Sequence, residues 1–209
     1  MPKLVILGTA AAVPDERHDN THMLLQAATR QVLVDSGSNP VVRLRKLGLD
    51  PNAITDIIMT HFHPDHVSGI PLLLMNMWLL GRREQLNLYG LQHTVQNMEN
   101  LLEAFEWGRW LEYPVEIKRL RTSKSTLVLE SEDFRITGVP VNHFVPTVGL
   151  RFEFPRSGKV IAYTSDTAPT AAVVWLAQGA DVLLHEASGA SPGHSSAEQA
   201  GEMAQQAKG

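Results

Sequence analysis

Residues 60 to 71 read THFHPDHVSGIP, with His61, His63, Asp65 and His66 crowded into six positions directly after the apolar run ITDIIM. No other stretch narrows the possible folds so far. A buried strand has to deliver the chain to a point where ligand-type side chains converge, because a strand end is a rigid element on which to mount them. In an extended segment alternate side chains share a side, so His61 and His63 point the same way. Pro64 disfavours a helical His63 and keeps that pair extended. The turn beyond it aims Asp65 and His66 at a neighbouring point. A polar loop assembled by chance is a poor explanation for four such residues at the end of a strongly predicted strand.

What the cluster can hold depends on the rest of the chain. The 209 residues include no cysteine, which excludes disulfides and thiolate zinc sites. A transition metal must therefore rest on His, Asp or Glu. Such donors suit hard to borderline divalent ions, and the spacing permits two of them. Missing cysteine also fits the cytoplasmic location expected here. The net charge of −4 lacks the basic surplus on which tight nucleic-acid binders depend. The basic stretch Lys118 to Lys124 reads as a solvated strand face. No apolar run reaches the length of a membrane span, and the apolar piece near the start reads as strand and loop.

Along the chain, KLVILG, HMLLQA, QVLVDS, ITDIIM and QLNLYG predict strands, and residues 115 to 154 predict several more. KVIAYTS and ADVLLHEA are further strands. Helices are predicted from Asn39 to Leu47, with Pro40 and Gly48 at its two ends, and from Ile70 to Leu80. Val95, Met98, Leu102 and Phe105 mark another, and Ala171 to Ala177 and Ser195 to Lys208 two more. The Ile70 to Leu80 helix is apolar nearly all round, so it is buried or lies in a subunit contact. Strands mixed with single helices, and no linker, predict one layered α/β domain over residues 1–209.

A metal centre needs more than one loop. His143 follows the strand FRITGVPV, Asp166 follows KVIAYTS, His185 and Glu186 end DVLLHEA, and His194 opens the last helix. A carboxylate at Asp166 suits a bridge between two ions, although Pro169 nearby also allows it to be a simple helix cap. His18, His22 and His93 read as plain surface residues.

At this point the chain resembles the metallo-β-lactamase superfamily, through the HxHxDH pattern of THFHPDHVSG. More narrowly it resembles ribonuclease Z and its small phosphodiesterase relatives. The segments LGTAAAVP, LVDSGS, LNLYG, NHFVPTVGLRFE, YTSDT, LLHEAS and GHSSAEQAGEMA carry that likeness nearly end to end. The resemblance implies a four-layer αββα sandwich and two divalent metal ions, zinc first, with manganese or iron as alternatives. It places His61, His63 and His143 on one metal, Asp65 and His66 on the other, and Asp166 with a hydroxide between them. It makes Asp65 a candidate to orient the nucleophile or take its proton. It makes His194 the residue that contacts the phosphate and protonates the leaving oxygen, supported by Glu186.

Two departures from the family pattern shape the expectations. Ribonuclease Z has a further metal-binding histidine on a strand after the last helix, whereas the last histidine here is His194 and the chain ends at Gly209. The expectation is a truncated chain lacking its C-terminal strand. The alternatives are a shifted His185 or His194, or a weakly held second ion. Many ribonuclease Z enzymes also carry a long arm that clamps transfer RNA, for which the 22 residues from 144 to 165 leave no room.

The expected activity is metal-dependent phosphodiester hydrolysis. The substrate is a small or cyclic-nucleotide diester, or an RNA 3′ end if the chain is a transfer-RNA processing endonuclease. A thioester, lactone or β-lactam hydrolase, and a metal-poor scaffold without activity, are the readings from other classes. The apolar helix and the family's habit point to a homodimer, with no membrane partner.

Overall fold

Short apolar runs separated by polar turns become two β-sheets. The computed structural model describes residues 2–121 and 123–208. The chain divides into two units, Met1–Arg119 and Leu120–Gly209.

In the first, β1 (Lys3–Gly8), β2 (His22–Gln26) and β3 (Gln31–Val34) form an antiparallel meander. The sheet continues through β4 (Asp56–Ile58), β5 (Leu86–Leu91) and β6 (Val115–Leu120), with β3, β4 and β5 parallel. Parallel strands covered on both faces are mostly apolar, and every residue of β4 and β5 is buried. Between the strands lie α1 (Val41–Lys46), α2 (Pro64–Val67), α3 (Ile70–Leu79) and α4 (Gln92–Ala104). Leu33, Ile57 and Leu88 share one core with Leu44, Leu73, Met77, Val95, Met98 and Leu102. Each such side chain contributes about 1.5–3 kcal/mol on burial.

The start of β4 holds a buried charge, Asp56. It accepts from Arg30 at 2.8 Å, Thr55 at 2.6 Å, Asn87 at 3.0 Å and Tyr89 at 3.2 Å, so β3, β4 and β5 are tied at that end. A buried carboxylate is tolerable only when its oxygens are satisfied in this way.

The second unit is a meander of β7 (Thr126–Glu130), β8 (Arg135–Val141), β9 (Thr147–Phe154) and β10 (Lys159–Tyr163). Helix α5 (Ala171–Ala177) then crosses to β11 (Val182–Leu184), which lies parallel to β10. A parallel neighbour requires such a crossover. Helix α6 (Ala197–Gln206) closes the unit. Val139, Ala162, Leu176, Ala177 and Ala207 form its core under α5 and α6.

The predicted strands and helices are found, with differences at their ends. Phe105 caps α4 and is exposed, so it is not part of that helix's apolar face. Helix α6 begins at Ala197, where Ser196 and Gln199 form a reciprocal capping box. Ser195 stays outside the helix, buried, and donates to the Thr167 carbonyl at 2.7 Å. Helix α3 buries Ile70, Leu73, Leu74 and Met77 and leaves Leu72 and Leu79 exposed, as is Leu80 at its C-cap. His22 is the clearest correction. It is a surface residue by sequence pattern but fully buried in β2, an inner strand paired with β1 on one side and β3 on the other and buried from His22 to Leu25. Its Nδ1 donates to the Asn20 carbonyl at 2.7 Å, while Nε2 is buried without a hydrogen-bond partner. Burial pushes its pKa below the ordinary histidine value.

Candidate functional site

Strand β4 delivers the chain to Thr60 and His61, both wholly buried. The stretch stays extended through His63, at φ −109 and ψ 151, and Pro64 then opens α2 at its first position. The alternation predicted for His61 and His63 is found: His61 Nε2 and His63 Nδ1 lie 3.1 Å apart. Two nitrogens on one tetrahedral zinc ion are separated by about 3.3 Å, from bond lengths of about 2.0–2.1 Å. The pair therefore fits a shared ion. His66 comes round on α2, with its ring centroid 4.0 Å from that of His61. Asp65 Oδ2 is 3.7 Å from His66 Nε2.

This group is oriented by a residue that the sequence argument did not single out. Asp35, buried at the end of β3, accepts from Thr60 N at 2.8 Å, Thr60 Oγ1 at 2.7 Å and His66 Nδ1 at 2.9 Å. With its Nδ1 proton given to Asp35, His66 keeps its lone pair on Nε2. Thr60 Oγ1 lies 3.2 Å from His61 Nδ1 and sets that ring in the same manner. Asp35 adopts φ +58, a left-handed conformation that costs a non-glycine residue about 1–3 kcal/mol and tends to occur at functional sites. The signal was present in LVDSGS, an acid ending an apolar strand before a glycine turn.

The same turn is locked to the histidine loop through backbone alone. Ser36 N donates to the His66 carbonyl at 2.7 Å, and Gly69 N to the Ser36 carbonyl at 2.8 Å. A methyl group on Gly37 would overlap the Asp65 carbonyl, and one on Gly69 the Ser38 carbonyl. Only glycine permits this approach.

The second unit gathers its own group from distant segments. His143 follows β8, Asp166 follows β10, Glu186 follows β11 and His194 precedes α6. Donor atoms of His143, Asp166 and His194 lie within 4.8 Å of one another, so these three can hold a metal ion. The His143 side chain is buried and its Nδ1 donates to the Gly193 carbonyl at 2.7 Å, which leaves the lone pair on Nε2, 4.0 Å from Asp166 Oδ2. Asp166 does not cap α5, whose N-cap is Thr170. It is preceded by Ser165, buried at φ +55, a second left-handed residue beside a ligand-type side chain.

Glu186 and His194 are brought together as expected. His194 Nδ1 lies 3.1 and 3.2 Å from the two Glu186 oxygens, and Oε1 also accepts from Thr167 N at 2.6 Å. His185 is turned elsewhere. Its Nδ1 donates to the Glu186 carbonyl at 2.8 Å, its Nε2 is buried without a partner, and burial pushes its pKa down. Of the two stand-ins considered for a further ligand, His194 lies with His143 and Asp166, and His185 joins no such cluster among the described residues.

Comparison with known proteins places this arrangement. The family model described as Anti-Pycsar protein Apyc1 matches residues 2–208. Ribonuclease Z of Methanothermobacter thermautotrophicus is 26% identical over an alignment of 261 positions, covering 99% of this chain and 83% of the relative. The crystal structure of human tRNase Z, short form, superposes with a TM-score of 0.84 at 23% identity, covering 99% of this chain and 88% of that one. The metallo-β-lactamase fold protein YhfI of Bacillus subtilis gives 0.79 at 20% identity, covering 99% and 82%. The fold is the metallo-β-lactamase fold.

Proposed function

The chain belongs to the Anti-Pycsar Apyc1 family, in the ribonuclease Z-like branch of the metallo-β-lactamase superfamily, and from that membership we propose a hydrolase of small phosphodiesters. At the coarser level it is a metal-dependent phosphodiester hydrolase. The preference for small substrates rests on the connection between β9 and β10. Phe154 pairs directly with Lys159 across a tight turn, so nothing extends from the sheet there to clamp a folded RNA. The alignment to the archaeal ribonuclease Z is longer than this 209-residue chain, so that relative carries segments this one lacks.

His61, His63 and His143 would hold one divalent ion, Asp65 and His66 a second, and Asp166 would bridge them, with zinc preferred over manganese or iron. When bound, the ions supply Lewis acidity toward the phosphate and lower the pKa of a water enough for attack at neutral pH. Asp65 would accept the proton of the attacking water. His194, its Nδ1 held by Glu186, delivers a proton from Nε2 to the leaving oxygen, the work for which a positioned imidazole is suited. A homodimer is part of the reading, supported by the exposed Leu72 and Leu79 on α3 and Leu80 at its C-cap.

The test is turnover of bis(p-nitrophenyl) phosphate after chelator stripping and reloading with zinc or manganese. Asp65→Ala and His143→Ala are each expected to lose at least ~100-fold in kcat. Activity indifferent to both would overturn the reading. Cleavage of precursor transfer RNA faster than of a cyclic nucleotide would overturn the small-substrate preference alone.

A further inference from the structure

Phe144 directly follows His143, and 63% of its surface is exposed. A lone exposed apolar residue carries little meaning, but the surroundings of this ring carry more. At Gly193, held at φ +74, an added Cβ would come within 3.1 Å of Phe144 Cδ2 and Cε2 and equally of His143 Nδ1. The carbonyl of the same glycine accepts the His143 Nδ1 proton at 2.7 Å. The Gly193 backbone therefore holds the ligand-type histidine and lies against the phenylalanine beside it. The Phe144 centroid stands 5.2 Å from that of His143 and 5.9 Å from that of His194, tilted by 60° and 65°. An exposed aromatic ring beside ligand-type histidines offers a flat apolar surface on which another flat ring can stack.

We propose that Phe144 is the stacking platform for the base of a nucleotide diester, and so determines specificity for nucleotide over aliphatic diesters. This rests on the phosphodiester-hydrolase reading above. A base stacked on the exposed ring would leave its sugar and phosphate to reach toward the neighbouring His143 and His194, whose ring centroids stand 5.2 and 5.9 Å from that of Phe144. Stacking tolerates any base, because each has a π-face, so Phe144 selects for the presence of a base and not for its identity.

The experiment compares two diesters with the same leaving group, thymidine 5′-(p-nitrophenyl phosphate) and ethyl p-nitrophenyl phosphate. Phe144→Ala is expected to raise KM for the thymidine compound about 10-fold, within the usual worth of base–aromatic stacking, with kcat held within about 2-fold. KM for the ethyl compound is expected to stay unchanged. Phe144→Leu, apolar but not flat, should behave like the alanine variant, and Phe144→Trp should restore the wild-type KM. Calorimetric binding of thymidine 5′-phosphate and of methyl phosphate gives the same contrast without turnover. Equal effects on both diesters, or none on either, would overturn the proposal while leaving the hydrolase reading intact. If wild-type protein cleaves neither diester, the hydrolase reading falls, and the binding contrast still decides the role of Phe144.

Discussion

The two ligand-bearing groups of this chain are built by opposite means. In the first unit four ligand-type residues lie within six positions, and the acid that orients them, Asp35, is buried along with His61 and His66. In the second, His143, Asp166, Glu186 and His194 arrive from the ends of three strands and the approach to a helix, and Asp166 and His194 keep part of their side chains in solvent. A local cluster can be made rigid by its own strand and turn. A dispersed one is only as precise as the sheet that carries it, but it leaves groups open to exchange protons with water and substrate.

The largest expected effect separates these two designs. Asp35→Asn replaces a carboxylate that accepts three hydrogen bonds with an amide that presents a donor to Thr60 or to His66. Asparagine tolerates the left-handed backbone, so the loss reports on hydrogen bonding and charge, not on strain. Metal affinity, measured by competition with a chromophoric chelator, is expected to fall ~10–100-fold, and stability in urea by about 2 kcal/mol. Glu186→Gln should act differently. A glutamine oxygen can still accept from Thr167 N, so stability should change by less than about 1 kcal/mol while kcat falls at least ~10-fold. If both variants lost stability equally, the contrast between a rigid group and a working group would collapse.

A smaller effect comes from pH. Burial lowers the His22 pKa in the folded state, whereas the unfolded chain takes up its proton near the ordinary 6.5. The stability His22 contributes is therefore full above about 6.5 and fades as the pH falls below it, by at most ~1.4 kcal/mol per pH unit. Urea midpoints of the metal-free protein between pH 7 and 5 should show His22→Phe falling less steeply than wild type. His185, lowered by burial in the same direction but only partly enclosed, should contribute a smaller slope. Identical slopes for His22→Phe and wild type would show that His22 is not held neutral.

The first group was the more legible because its spacing is short. The alternation of His61 and His63, the break at Pro64 and the return of His66 all follow from backbone geometry over a few residues. The second group was visible only as ligand-type residues sitting just after apolar strands, and their assembly depends on sheet order that no local pattern encodes. Asp35 escaped notice because its partners, Thr60 and His66, are 25 and 31 positions away. His22 was misjudged because neighbouring Asp19 and Asn20 look like a solvated loop, whereas Asn20 is itself buried and β2 is an inner strand. Fold elements stood out where period and helix-end signals agreed, as in α1 between Pro40 and Gly48. They blurred at ends such as Ser195, where one hydroxyl had two possible employments.

The contact of Gly37 with Asp65 and of Gly69 with Ser38 has a consequence for how such a chain can change over time. Two peptide planes touch there with no side chain between them, so neither position has a neighbouring residue type through which to drift. Variation that alters the order of metal preference or substrate choice is thereby channelled away from the histidine loop. It falls instead on the exposed positions that flank His143 and His194, such as Asn142, Pro146, Ala187, Ser188, Ala190, Ser191 and Pro192. A library aimed at new diesters should leave the first region untouched and spend its diversity on the second.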